Sequence, residues 1–557
     1  MVAALAALAV LAIAGCDGGP PRVKPWRHAP DPVAIADAVP RSAALVQQED
    51  DLAIRSRRGH TLRVHVDAEP RSLHPLLGPS QWTRRIVTHT VFETLVRYLP
   101  PEGGAGAGPG RYVPGLARSW RIQGGGTELI LELDPDARFH DGRALSSLDV
   151  QFTLDAIRDP GKRVDHLRAA LASVTAVELV TQKSLRIRLA RPDGWVLRAL
   201  AEIPILSWAT YKDDLTGGGK LVGTGPYRVA SQPGGVVHLT RLASWRGPLP
   251  AIADLELVYQ PDAAAALMAA KRGELDLVPA LIPAHWPEQA SAPGLAASFT
   301  ALELRPPSFR YLLFAAHLPP TDDPRVRRAL SLLVDRTRLA QEVGDGLTRP
   351  IAGPIWPGGP GDGPAPPPPA LDPAAAGRLL DEAGWRDSDG DGVREKDGQR
   401  LRLDVLVLEQ EDGKPHPEQQ RVLDGLRRAG LGLEVRVGTR AVLQNRLRDG
   451  EFHLAFLEWH GAVDSDLTPL VGTGGAHNYG RFSSRRVDRA LADLRAVWEP
   501  ASRGPLMGEL AAALADEAPL AGLVALAPQG LLHRRVTGAV VWDGWIDLRA
   551  LALDPAR

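Results

Sequence analysis

Two runs of alternating apolar and polar residues, 119–122 and 127–133, lie either side of Gly124, Gly125 and Gly126. Period two marks half-buried strands, and glycines supply the positive φ of a tight turn, so the pattern predicts a β-hairpin. Phe139-His140-Asp141-Gly142 predicts a second turn. Ser146 and Asp149 then have the spacing of a capping box ahead of the apolar positions Val150, Phe152, Leu154 and Ile157, which predicts a helix. Alternation over 61–66 predicts another strand. So does 452–459, where Phe452, Leu454 and Phe456 fall on one face and His453, Ala455, Leu457 and Trp459 on the other, both apolar as in a buried central strand. Asp323-Pro324 and Asp372-Pro373 place an N-cap before an N1 proline, so each predicts a helix start, the first helix covering 326–341. Between those helices, 357–369 is dense in Pro and Gly and predicts a surface loop. Strands and helices alternate without a short fixed repeat, which points to an α/β architecture rather than a solenoid.

The 557 residues leave room for several domains, and 65 Lys plus Arg against 66 Asp plus Glu give a net charge of -1. That balance excludes an electrostatic hold on nucleic acid or on an anionic membrane surface. Cys16 is the single cysteine, so no internal disulfide forms. It ends the apolar run 1–15, which is too short for a membrane-spanning helix of roughly 20 residues and fits a secretory h-region of about 7 to 15. Ile13-Ala14-Gly15-Cys16 resembles a bacterial lipobox, which implies a lipid on Cys16. Residues 17–57, rich in Pro, Ala and Gly without sustained period, then form a flexible tether.

Hydrolytic signatures are missing: no serine lies in a G-x-S-x-G elbow and no histidine begins H-E-x-x-H. Gly104, Gly106 and Gly108 are followed by Pro109, out of step with a dinucleotide fingerprint, and form a loop. Asp387-Ser388-Asp389-Gly390-Asp391-Gly392 opens like an EF-hand calcium loop, but the twelfth position is Gly398 rather than a bidentate Glu. A structural turn is the expectation, with weak calcium binding as the alternative. No metal site and no cofactor are expected.

Several segments in order resemble the family 5 solute-binding proteins, which serve ABC importers of dipeptides, oligopeptides and nickel. They are the hairpin-turn-helix string 116–157, Ser72-Leu73-His74-Pro75 with His74 in place of the family's Asp, Leu221-Val222-Gly223-Thr224-Gly225-Pro226-Tyr227, Gly273-Glu274-Leu275-Asp276, Asp322 to Leu330, and the helix after Pro373. The resemblance runs over almost the whole chain after the tether. It implies a two-lobe periplasmic binding protein type II fold with an extra subdomain inserted in the first lobe, and two crossovers as hinge. On that basis the expected parts are a leader at 1–15, a lipidated Cys16 and tether at 16–57, first lobe at 58–97, 207–308 and 522–557, inserted subdomain at 98–206, and second lobe at 309–521. The implied protein catalyses nothing, is a monomer, is lipid-anchored in the periplasm or on the outer face of the cytoplasmic membrane, and has an ABC permease as partner.

The resemblance also places the ligand. In the family a strand ends in W-x-x-D, where the Trp packs on the ligand and the Asp pairs with a peptide's α-amino group. Here the strand ends at Trp459-His460-Gly461, the fourth position is Ala462, and Asp464 is the nearest substitute carboxylate. A buried ammonium needs such a partner, because an unpaired buried charge costs several kcal/mol. Gln81 and Trp82 follow the first turn, where the family's first lobe reaches the cleft, and Asn478 resembles the family's N-Y motif. A di- or oligopeptide is the leading ligand. The 13 Trp against 7 Tyr keep open an oligosaccharide stacked on indoles, and a ligand sensor without transport is the rival from another class.

Overall fold

The computed structural model describes residues 60–69, 72–78, 82–99, 101, 109–162, 164–342, 346–356, 366–409, 414–461, 466–542 and 544–554. The leader, Cys16, the tether, Gln81, Gly104, Gly106, Gly108, Ala462 and Asp464 lie outside the described residues.

The alternating segment Thr61–Val66 buries Leu62, Val64 and Val66 and runs parallel to Asp254–Tyr259 and Leu277–Val278. Around it forms a seven-stranded sheet in the order Phe299–Glu303, Gln529–His533, Leu277–Val278, Thr61–Val66, Asp254–Tyr259, Val236–Arg241, Tyr227–Ser231. A second, six-stranded sheet has the order Thr348–Pro350, Leu520–Leu526, Ser308–Phe314, Leu454–His460, Arg402–Leu408, Gly432–Gly438. The two sheets are the hearts of two lobes, in keeping with the α/β two-lobe expectation. The chain passes between them twice, over 304–307 and over 527–528, and the Leu304 N–H donates to the Pro528 carbonyl at 2.8 Å, so the two crossings lie side by side. The boundary expected between 521 and 522 falls inside the strand Leu520–Leu526, which belongs to the six-stranded sheet.

The predicted hairpin is Ala117–Gln123 and Glu128–Leu133 around the turn Gly124–Gly126, and it continues into a four-stranded antiparallel sheet with Ser184–Leu189 and Val174–Thr181. The helix Ser147–Arg158 begins at the predicted capping box, where the Ser146 N–H donates to Asp149 Oδ2 at 2.8 Å. The other Asp149 oxygen accepts from the Trp208 N–H at 2.7 Å and so ties this small sheet's helix to the chain's return toward the first lobe. Gly223 and Gly225 are glycines for want of room: a Cβ would lie 1.9 Å from the Val91 carbonyl oxygen at the first and 2.3 Å from that of Thr90 at the second.

Asp323 and Asp372 cap helices as predicted, accepting from the Arg325 and Ala375 N–H groups. The helix expected over 326–341 is instead two, Pro324–Leu332 and Arg336–Glu342. At the break the buried Arg336 guanidinium donates to the carbonyls of Ser331 (2.9 Å), Ile351 (3.1 Å) and Gly522 (2.6 Å), bonds a straight helix could not share among its neighbours. No described helix is long and apolar enough to cross a membrane.

Candidate ligand site

The strand Leu454–His460 is central in the six-stranded sheet, and its antiparallel register with Ser308–Phe314 sets Trp459 opposite Phe309 and His460 opposite Ser308. Directly opposed residues share a face, so the sheet sends Trp459 and His460 to opposite sides. On the Trp459 side lies an aromatic group. Phe309 meets Trp356 edge to face at 5.2 Å, Trp459 meets His477 at 5.5 Å, and His477 meets Tyr479 at 6.1 Å. Trp459 is only partly buried, and its Nε1–H is a buried donor without a described partner. Burial, with Tyr479 nearby, raises the pKa of Tyr311, whose ring lies 5.3 Å from that of Phe309 on the same face, and keeps that phenol neutral.

Asn478 holds this group in place from behind. It is 8% exposed; its side-chain amide donates to the carbonyls of Gly472 (2.8 Å) and Phe482 (2.7 Å), and its Oδ1 accepts from the Phe482 N–H (3.0 Å). It therefore fixes the loop carrying His477 and Tyr479, and its own polar atoms are engaged.

His460 is exposed and belongs to a polar string on the other face. Its Nδ1 lies 3.0 Å from Ser308 Oγ and its Nε2 3.2 Å from Glu458. Glu458 pairs with Arg310 at 3.1 Å, and Arg310 with Glu418 at 2.8 Å. Burial works against the Arg310 charge, but Glu418 and Glu458 hold its pKa above the ordinary arginine value.

Trp82 is 4% exposed and sits in the core of the first lobe rather than on a loop facing a cleft. Its Nε1–H donates to Asp67 Oδ1 at 2.8 Å and its ring meets Trp545 edge to face at 5.4 Å. That arrangement corrects the expectation that it faces ligand: an indole with its one donor bonded and its ring against a second indole is a packing residue. Sequence reasoning could not see Trp545, which comes from the far end of the chain. Nearby, His74 caps its own turn. Its Nδ1 accepts from the N–H groups of Leu76 (3.1 Å) and Leu77 (3.0 Å), and burial lowers its pKa. A cavity of about 300 Å³ opens beside this turn, lined among others by Leu77, Thr216 and Gln232.

Sequence reasoning passed over Arg495. Asp466, the first described residue after the gap that follows Gly461, accepts from the Thr468 N–H at 2.9 Å and ion-pairs with Arg495. The carboxylate nearest after Trp459 among the described residues is thus already engaged. The Asp387 turn spends its acids likewise on backbone: Asp387 accepts from Gly390 (2.8 Å) and Gly392 (3.1 Å), and Asp389 from Asp391 (3.1 Å). Asp387, Asp389 and Glu395 still bring one oxygen each within 4.8 Å of one another.

Comparison with known proteins gives a consistent result. The profile of the bacterial extracellular solute-binding proteins, family 5 (middle) matches residues 111–480. Protein XP55 of Streptomyces lividans is 28% identical over 81% of this chain and 81% of its own length. A probable di/tripeptide-binding protein 5 of Pseudomonas aeruginosa is 27% identical over 78% and 85%. Among solved structures, HbpA2 of Haemophilus parasuis superposes with a TM-score of 0.75 at 21% identity, covering 88% of this chain and 99% of that one. NikA of Brucella suis in complex with Fe(III)-EDTA superposes at 0.73 and 22% identity, with the same coverage.

Proposed function

This chain belongs to the family 5 bacterial extracellular solute-binding proteins, and from that premise we propose that it captures a di- or oligopeptide between its lobes, tethered by lipid at Cys16, for an ABC permease. It is a binding protein of an ABC importer and not an enzyme. One observation carries the proposal: the half-buried Trp459 at the end of a central strand, backed by His477 and Tyr479, beside the two crossings on which the lobes hinge. A flat aromatic with part of its ring exposed is a ligand platform, because it presents apolar area for stacking. The P. aeruginosa relative's name supports a di- or tripeptide as the class.

A second reading has its own support. Asp466 is held by Arg495, and Ala462 offers no carboxylate, which favours a neutral ligand such as an oligosaccharide unless Asp464 supplies the charge. Thermal-shift screening of peptides, oligosaccharides and nickel separates the two. A ligand at 100 times its dissociation constant adds about 2.7 kcal/mol of stability. Stabilisation by peptides, lost in Asp464→Asn, supports the peptide; stabilisation by sugars alone rejects it. For the anchor, Cys16→Ser is expected to yield a protein that takes up no labelled fatty acid, and label in that variant would reject lipidation at Cys16.

A further inference from the structure

The two lobes touch at a third place that is no part of either crossing. The loop before the helix Trp195–Glu202, in the subdomain built on the four-stranded sheet, meets the segment 495–503 of the second lobe. Asp193 is 3% exposed. Its Oδ1 accepts from the Trp195 N–H at 3.1 Å, and its Oδ2 pairs with Arg495 Nη1 at 2.8 Å. The other Nη of Arg495 pairs with Asp466. Backbone meets backbone as well: the Gly194 N–H donates to the Arg495 carbonyl at 2.8 Å, and a Cβ on Gly194 would stand 2.1 Å from the Val497 carbonyl oxygen. Trp195 is 8% exposed and lies under the Arg503 guanidinium, 3.9 Å from its ring centroid; Trp498 from the second lobe joins the apolar core of the first.

The subdomain is carried by the first lobe, and covalent connection between the lobes runs only through 304–307 and 527–528. Any rotation about those crossings has to break this contact or slide along it, and a buried ion pair backed by a main-chain hydrogen bond does not slide without losing both. We propose that Asp193, Arg495 and Asp466 form an interlobe clasp, which holds the subdomain against the second lobe and sets the balance between the lobes held together and apart. The clasp also reaches the ligand side, since Asp466 anchors the chain downstream of Trp459. The inference rests on connectivity and geometry and is independent of the ligand's identity.

The test is distance measurement by double electron–electron resonance on the full chain in a Cys16→Ser background, with spin labels at Val180 in the subdomain and Val442 in the second lobe, 53% and 52% exposed. The unaltered contact should give one dominant distance. Asp193→Asn keeps the oxygen that caps Trp195 and removes only the charge. It should raise the ratio of long to short distances on the order of tenfold or more, as should Arg495→Met. Arg495→Lys should restore much of the short population. Thermal unfolding of each variant shows whether it is folded, and if Arg495→Met is not, Asp193→Asn carries the test alone. Distance distributions of Asp193→Asn that superimpose on the parent would overturn the clasp. So would an Arg495→Lys indistinguishable from Arg495→Met, which would reduce the contact to local packing.

Discussion

In the first lobe the half-buried arginines face carboxylates: Arg535 pairs with Asp276 at 2.8 Å, Arg549 with Asp547 at 2.8 Å, and Arg246 with Glu93 and Asp134 at 2.7 Å each, as the half-buried Arg495 of the second lobe does with Asp193 and Asp466. In the second, the still more buried Arg327 and Arg336 direct their hydrogen bonds to main-chain carbonyls and one serine hydroxyl. Arg327 reaches the last carbonyls around Glu517 and Ala518 at the end of the helix Gly504–Glu517, and Arg336 reaches Ser331 near the end of Pro324–Leu332. A helix C-terminus carries orphan carbonyls and partial negative charge, so a guanidinium there satisfies both without a carboxylate. Burial alone lowers the Arg336 pKa to about 10, and it stays charged at neutral pH. The tryptophans divide similarly. Trp82 in the first lobe is sealed and bonded, whereas Trp459 in the second has its ring half open. The first lobe thus seals Trp82 inside its core, and the second leaves the ring of Trp459 partly open near the hinge.

Arg336→Met breaks this comparison hardest. It removes the donor from the Ile351 and Gly522 carbonyls and should cost about 3 to 5 kcal/mol, read as faster hydrogen exchange confined to the second lobe. Trp82→Ala is the matching change in the first lobe. It should cost about 3 kcal/mol or slightly more through the cavity it leaves, while ligand affinity in the folded fraction stays as it was. Trp459→Ala should instead weaken an identified ligand by about 2 kcal/mol in calorimetry with a smaller loss of stability; a loss of stability as large as that of Trp82→Ala, with affinity intact, would make Trp459 core.

Acid sharpens the contrast with the smallest effect. Burial lowers His89 in the first lobe and His140 in the subdomain it carries from 6.5 to about 4. The unfolded chain takes up these protons near 6.5 and the fold refuses them until about 4, so the stability they confer is complete above 6.5 and is lost as pH falls through that window. On the order of 1 kcal/mol each should be gone by about pH 5, visible as exchange rising first in the first lobe.

Local grammar was legible in the sequence. The capping box at Ser146, the caps at Asp323 and Asp372 and the hairpin around Gly125 each depend on residues within a few positions of one another. What escaped depends on distant partners. Nothing near Trp82 announces Trp545 or the hydrogen bond to Asp67; near 333–335 only Asp335 marks the break, by accepting from the Arg338 N–H at 3.0 Å, while the carbonyls that pull Arg336 inward come from Ile351 and Gly522. The Asp193–Arg495 pair spans 302 positions and has no local signature at either end. For the ligand site the pattern identified the strand, its end and its alternation, but not the string that joins His460 to Ser308 and Glu458 on the face away from Trp459.

The order of strands in the first sheet also bears on how the molecule comes into being. Residues 308–526 hold all six strands of the second sheet in one uninterrupted stretch, whereas Gln529–His533 slots between Leu277–Val278 and Phe299–Glu303 of the first. A chain made from its N-terminal side therefore presents a second lobe complete in strands while the first still has a vacant lane in its sheet, with two facing edges exposed until residues 529–533 appear. The part made first is finished last, and a truncation just before residue 529 would leave an intact second lobe on a first lobe that cannot close its sheet.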